Sequence, residues 1–132
     1  MKDTWSMFSK FIRLRDCLKT TETGDYGECV TCGRRYSFEI LQAGHFIPRK
    51  YSIHLFNEKN VHIQCFGCNI KKKSNWVEYY EFMRQHYSLR YINTLIKTRN
   101  NPHCPLTRDE LWSIYEKYKT KYEELQRRIK HS

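Results

Sequence analysis

Two cysteine pairs constrain this chain more than any other feature. The first is Cys29-Val30-Thr31-Cys32-Gly33 and the second is Cys65-Phe66-Gly67-Cys68-Asn69. Two residues between the members of a pair let a single turn aim both sulfurs at one point. Two such pairs offer four thiolates to one tetrahedral Zn²⁺. Gly33 follows the first pair directly, where a tight knuckle needs a residue that tolerates positive φ. Two disulfides, or four unrelated buried thiols, are the competing reading, and the spacing argues against both. Cys29, Cys32, Cys65 and Cys68 are therefore expected to be structural zinc ligands. The staple answers a need. Aromatic residues are plentiful, with ten Tyr, seven Phe and three Trp, but only 39% of the 132 residues are hydrophobic and 29% are charged. A core this modest is commonly reinforced by a metal. Cys17 and Cys104 are left over as incidental thiols.

Around the pairs the chain reads as one α+β domain over residues 1–132. A basic helix is expected at 4–19, where Trp5, Phe8 and Ile12 recur at helical spacing. Its Lys10, Arg13, Arg15 and Lys19 suit either a solvated face or a DNA-facing one. Residues 20–28 are polar, with Gly24 and Gly27, and read as a loop. Residues 34–38 continue the knuckle as a short strand or turn, and 40–47 have strand character ending at Pro48. Val61-His62-Ile63-Gln64 alternates like a half-buried strand and delivers Cys65. A helix is expected to open across 65–73. Asn75 with Glu78 reads as a helix cap, closing a zinc core at 29–86. A helical C-terminal extension over 88–130 includes a capping box at Thr107-Arg108-Asp109-Glu110. A zinc knuckle facing a CxxC at a helix start is the treble-clef arrangement. It places His45, on the first long strand, opposite the helix that carries Asn69.

The net charge of +10 and pI of about 9.4 fit a polyanionic partner, most commonly nucleic acid. Plain solubility is the alternative. No apolar run reaches the roughly 18 residues of a membrane span, and no secretory leader is evident, so a cytoplasmic location is expected. An imidazole near an amide oxygen suits phosphodiester hydrolysis. Neutral His accepts the proton of an attacking water, and a hard Mg²⁺ or Mn²⁺ on the amide oxygen neutralises developing charge.

These residues resemble a known family. Ala43-Gly44-His45-Phe46, through Asn60, to Cys65-x-x-Cys68-Asn69 looks like the HNH, or His-Me finger, nuclease signature. More narrowly, Phe8-Ser9-Lys10-Phe11-Ile12-Arg13-Leu14-Arg15-Asp16, the CxxCG knuckle and Leu41-Gln42-Ala43-Gly44-His45-Phe46 are similar to the phage NinG/Rap recombination proteins. The resemblance covers roughly residues 8–82. It implies a small zinc-stapled ββα-metal core with N- and C-terminal helical extensions. It implies His45 as general base, Asn69 as ligand of a catalytic Mg²⁺ or Mn²⁺, and Asn60 as the residue that orients the base or fixes its loop. It also implies branched DNA, including Holliday junctions, as substrate, in the bacterial host cytoplasm.

One position departs from the pattern. Many family members carry Asp or His just before the base, as a second metal ligand, and here that residue is Gly44. His54, His62 and Glu39 are the candidates to replace it, and spacing selects none of them. Arg49 and Lys50, just past the base, and Lys71, Lys72 and Lys73, just past Asn69, are candidate phosphate contacts; a solvated surface is their bland reading. The competing functions are a non-catalytic zinc DNA-binding module, motivated by Gly44, and an adaptor whose residues 107–130 pair as a short coiled coil in a homodimer.

Overall fold

Trp5, Phe8 and Ile12 line one stripe of α1 (Lys2–Thr21), longer at both ends than the periodicity predicts. The computed structural model of the chain describes residues 2–48, 52–101 and 105–130. Phe8 and Ile12 are fully buried and join Met7, Phe11, Val61 and Tyr118 in one cluster. The helix is held to the core by more than apolar contact. Arg15 and Asp16 pair at 2.8 Å and both are largely buried. Arg15 Nη2 donates to the Val61 carbonyl at 2.7 Å, Arg15 Nη1 to the Glu58 carbonyl at 2.9 Å, and Asp16 Oδ2 accepts the Ile63 N–H at 3.0 Å. Arg15, expected on a solvated or DNA-facing side, and its neighbour Asp16 thus satisfy backbone groups at a strand edge. Breaking a buried pair strands the other charge. Asp16→Ala should therefore lower stability by about 3 kcal/mol, read as a fall in the urea midpoint with unchanged slope.

The strands form two antiparallel hairpins. In the first, β1 (Tyr26–Glu28) pairs with β2 (Arg35–Ser37), matching Tyr26 with Ser37. The polar stretch 20–28, read as a loop, therefore contains a short strand, recruited because the knuckle turns the chain back on it. In the second, β3 (Gln42–His45) pairs with β4 (Val61–Gln64), matching Gln42 with Gln64 and His45 with Val61. β4 has its expected limits, but all four of its residues are buried. Its polar face is covered by α2 (Trp76–His86), which docks through Tyr79, whose hydroxyl donates to the Gly44 carbonyl at 2.7 Å, and through Trp76, stacked on Phe46 at 5.1 Å.

This burial fixes the state of His62. Tyr79 spends its proton on Gly44, so His62 Nδ1–H donates to the Tyr79 oxygen at 3.1 Å and Nε2 accepts from Tyr87 at 2.8 Å. Burial holds the imidazole neutral and drives its pKa down to about 3. The unfolded chain takes up a proton near the ordinary value of about 6.5, which the folded chain refuses. Stability is therefore lost as pH falls below that value, by about 2 kcal/mol at pH 5 from this group alone. An NMR titration of the folded protein should find His62 neutral at pH 5; a midpoint near the ordinary value would contradict this.

The segment after Cys65 differs from the helix expected there. Gly67–Lys71 is a π-helical turn, followed by Lys73, Ser74 and Asn75 with φ of 47°, 75° and 48°. Three left-handed residues in succession end the turn and swing the chain into α2. Asn75, read as a side-chain cap, is itself left-handed and makes no cap bond; its Nδ2 donates to Cys68 Sγ at 3.6 Å. Ser88 caps α3 (Leu89–Lys97) by accepting the Tyr91 N–H. The capping box at Thr107 and Glu110 forms reciprocally and starts α4 (Arg108–Lys130). The apolar stripe of α4 packs Ile114, Tyr115, Tyr118, Tyr122 and Leu125 against the α1 cluster. Tyr118 and Lys121 both donate to Glu58 Oε2, at 2.9 and 2.7 Å. The result is an α+β fold in which terminal helices flank a β-rich core carrying the four cysteines. No helix among the described residues is long and apolar enough to cross a membrane.

Candidate functional site

The ligand atoms of Cys29, Cys32, Cys65 and Cys68 all lie within 4.8 Å of one another. Cys32 Sγ and Cys65 Sγ are 3.8 Å apart, the edge of a tetrahedron with Zn–S bonds of about 2.3 Å and far beyond a disulfide. Gly33 closes the knuckle at φ 76°, its N–H donating to the Cys29 carbonyl at 2.8 Å. The sulfurs also have the outer donors that thiolate ligands need. Thr31 Oγ1 lies 3.2 Å from Cys29 Sγ, the Cys68 N–H donates to Cys65 Sγ at 3.4 Å, and Asn75 Nδ2 reaches Cys68 Sγ. Burial would raise the Cys29 thiol, but hydrogen bonds from Thr31 and from backbone N–H groups outweigh it and bring it down to about 7. Cys32 is pushed up to about 12 by burial and by the neighbouring Cys29. One thiolate thus forms easily and opposes the next, so four together need a dication among them. The donor set fits Zn²⁺. Cys17 stands apart, buried against Leu41 and Ile63, its thiol pushed up to about 11 by burial.

A cavity of about 450 Å³ lies against β3, between α1 and the π-helical turn. Trp5, Arg13, Gln42, His45, Asn69 and Ser74 contribute to its lining. His45 and Asn69, singled out by their order in the chain, therefore open on one space. His45 Nε2 lies 3.2 Å from the Leu55 carbonyl, an acceptor, so in the neutral ring Nε2 carries the proton and Nδ1 the lone pair. Trp5 stacks on the imidazole with centroids 5.0 Å apart. Asn69 Nδ2 donates to Gln42 Oε1 at 2.8 Å, which leaves Asn69 Oδ1 on the side of Gly44.

Asn60 does not line the cavity. It is fully buried, accepts the Ile47 N–H at 2.8 Å and donates to the carbonyls of Ile47 and His54 at 3.1 and 3.2 Å. These bonds tie the chain leaving β3 to the turn that precedes Leu55. Lys71, Lys72 and Lys73 are exposed beside Asn69. Arg49, Lys50 and Cys104 lie outside the described residues. Two of the three candidates for a second ligand are engaged elsewhere, His54 with Thr98 Oγ1 at 2.8 Å and His62 with two tyrosines. Glu39 is exposed and is not part of the cavity lining.

The sequence offered Arg13 only as one of several solvated or DNA-facing cations, and it gave Gln64 no role. Arg13 reaches the cavity wall with its guanidinium 4.6 Å over the Phe38 ring. Gln64 is fully buried; its Nε2 donates to Thr31 Oγ1 at 3.1 Å and to the Ser74 carbonyl at 2.8 Å. Its Oε1 is a buried oxygen without a hydrogen-bond partner among the described residues.

The family model described as "Bacteriophage Lambda NinG protein" matches residues 1–128. The chain belongs to the NinG family. The match takes in α4 as well as the motif-bearing stretch, so the helix that packs on α1 is part of the NinG pattern and not an addition to it. Neither the curated proteins nor the solved structures gave a match to this NinG chain.

Proposed function

We propose that this NinG-family chain is a metal-dependent DNA endonuclease of the HNH, ββα-metal type, acting on branched DNA such as Holliday junctions during phage recombination in the host cytoplasm. The observation that carries the reading is that His45 and Asn69 open on one cavity beside a four-thiolate cluster. Family membership and the charge of +10 support a DNA substrate. His45, with its proton held on Nε2 by Leu55, takes a proton at Nδ1 from the attacking water. Asn60 keeps the Leu55 segment in place and so acts as a positioning residue. Asn69 Oδ1 would hold a divalent ion, Mg²⁺ or Mn²⁺, which when bound supplies charge neutralisation at the scissile phosphate. Arg13, Arg49, Lys50 and Lys71–Lys73 hold the phosphate backbone, a contact that carries affinity without sequence preference. Cutting both strands of a junction needs two such sites, so a homodimer on DNA belongs to the proposal.

The test is incubation of the zinc-loaded chain with a labelled four-way junction and a linear duplex, in Mg²⁺, Mn²⁺ or chelator. Junction cutting that requires the added ion is expected. One observation favours a second reading, a DNA-binding zinc module without catalysis: position 44 has no side chain to ligate an ion. That reading predicts binding that weakens steeply with salt and no cutting with any divalent ion.

A further inference from the structure

The missing side chain at position 44 has a structural counterpart. A Cβ built on Gly44 would overlap Gln64 Oε1 and lie 3.1 Å from Asn69 Oδ1. The space that an acidic side chain would need is thus occupied by the amide oxygen of Gln64, and two amide oxygens converge on that point. No hydrogen bond explains the position of the first: Gln64 Oε1 is buried and unpartnered among the described residues. The assignment of oxygen and nitrogen is not arbitrary, because the Ser74 carbonyl 2.8 Å from the other end of the amide demands an N–H. A buried acceptor left without a donor is costly. A hard cation removes that cost, and cis oxygens around Mg²⁺ stand about 3 Å apart for bonds of about 2.1 Å.

We propose that Gln64 Oε1, across from Asn69 Oδ1, is the second protein ligand of the divalent ion, and that Gly44 is small because Gln64 fills its place. The inference rests on the metal-dependent reading above and names the group that completes its ion site. Gln64 is also tied to the four-cysteine cluster. Its Nε2 donates to Thr31 Oγ1, which in turn has its proton available for Cys29 Sγ, so one chain of hydrogen bonds runs from the structural thiolate to the ligating amide. This holds the carbonyl rigid before the ion arrives, as outer hydrogen bonds do for metal ligands generally.

The experiment measures Mn²⁺ binding to the zinc-loaded full chain by the loss of the free-ion EPR signal. Zinc content and melting temperature are recorded for every variant. Gln64→Met keeps the length and removes the oxygen, and should weaken Mn²⁺ at least about tenfold with zinc retained. Gly44→Asp alone should lower the melting temperature, because its Cβ overlaps Gln64. Gly44→Asp combined with Gln64→Ala should bind Mn²⁺ at least as tightly as the natural chain, since the carboxylate enters the vacated space. A Gln64 that only braces Ser74 predicts no such rescue. Mn²⁺ affinity of Gln64→Met within about twofold of the natural chain, or a zinc-loaded double variant as weak as Gln64→Met, would overturn the inference. The unsubstituted chain gives a reading that needs no variant to fold. Mg²⁺ should shift the side-chain carbonyl ¹³C resonances of Gln64 and Asn69 together. Movement of Asn69 alone removes Gln64 and leaves the metal-dependent reading standing; movement of neither removes both.

Discussion

Stripping the metal from Cys29, Cys32, Cys65 and Cys68 is expected to unfold the hairpin core. Structural Zn²⁺ contributes about 10–16 kcal/mol of apparent binding free energy in small zinc modules, as much as the whole stability of about 5–15 kcal/mol typical of a domain. The cluster sits where the two hairpins meet. Cys29 and Cys32 bracket the knuckle between β1 and β2, and Cys65 and Cys68 begin directly after β4. Apart from the ion, backbone contact between the hairpins includes the Val30 N–H donating to the Ile63 carbonyl at 3.0 Å. Chelation, or Cys65→Ser, should therefore abolish the cooperative thermal transition and release Trp5 from its stack on His45, with readdition of Zn²⁺ restoring the chelated protein. Circular dichroism and tryptophan fluorescence provide the check. A zinc-free protein that melts cooperatively at the same temperature would show that the apolar clusters suffice alone.

His45→Ala is expected to reduce junction cutting by about 10²–10⁴-fold, the usual contribution of a positioned general base, while leaving junction affinity nearly unchanged. The separation follows from where the charges are. His45 is buried and wedged between Trp5 and the Leu55 carbonyl. The cations suited to phosphate lie on other elements, Arg13 on α1 and Lys71–Lys73 after Cys68. Filter binding in the absence of divalent ion should give similar curves for the two proteins, and single-turnover cutting should not. Equal loss of binding and cutting would mean that the imidazole supports the fold of the cavity and performs no proton transfer.

Much of this arrangement is legible in the sequence, for identifiable reasons. The paired cysteines and Gly33 specify the knuckle because metal geometry leaves few alternatives. α1, α3 and α4 follow from long apolar periodicities, and Thr107 with Glu110 marks the start of α4 through a local bond pattern. What was hidden depends on tertiary contacts. β1 is three residues with a glycine in the middle and exists because β2 returns beside it. The turn after Cys68 is π-helical and then left-handed because Asn75 and Ser74 are drawn to Cys68 Sγ and Gln64, so Asn75 could not serve as the cap its position advertised. Arg15 was read as solvated or DNA-facing, and His62 and Gln64 fell on the polar side of an alternating strand; all three are turned inward. A polar residue in an alternating strand carries no sign of whether a helix will cover its face. At the candidate site, His45 and Asn69 were recognisable because their order is fixed relative to the cysteines. Arg13 and Gln64 were not singled out, because a helix-face arginine reads equally well as solvated and the polar member of an alternating strand reads as exposed.

Single-turnover cutting of a four-way junction by the zinc-loaded natural chain, His45→Ala and Asn69→Ala, with Mg²⁺ added to all three, tests the central claim most directly. The account predicts cutting by the natural chain, its near-complete loss in both variants, and retained zinc and junction binding in all three. Equal cutting by all three proteins, or none by a natural chain that holds zinc and binds the junction, would contradict it.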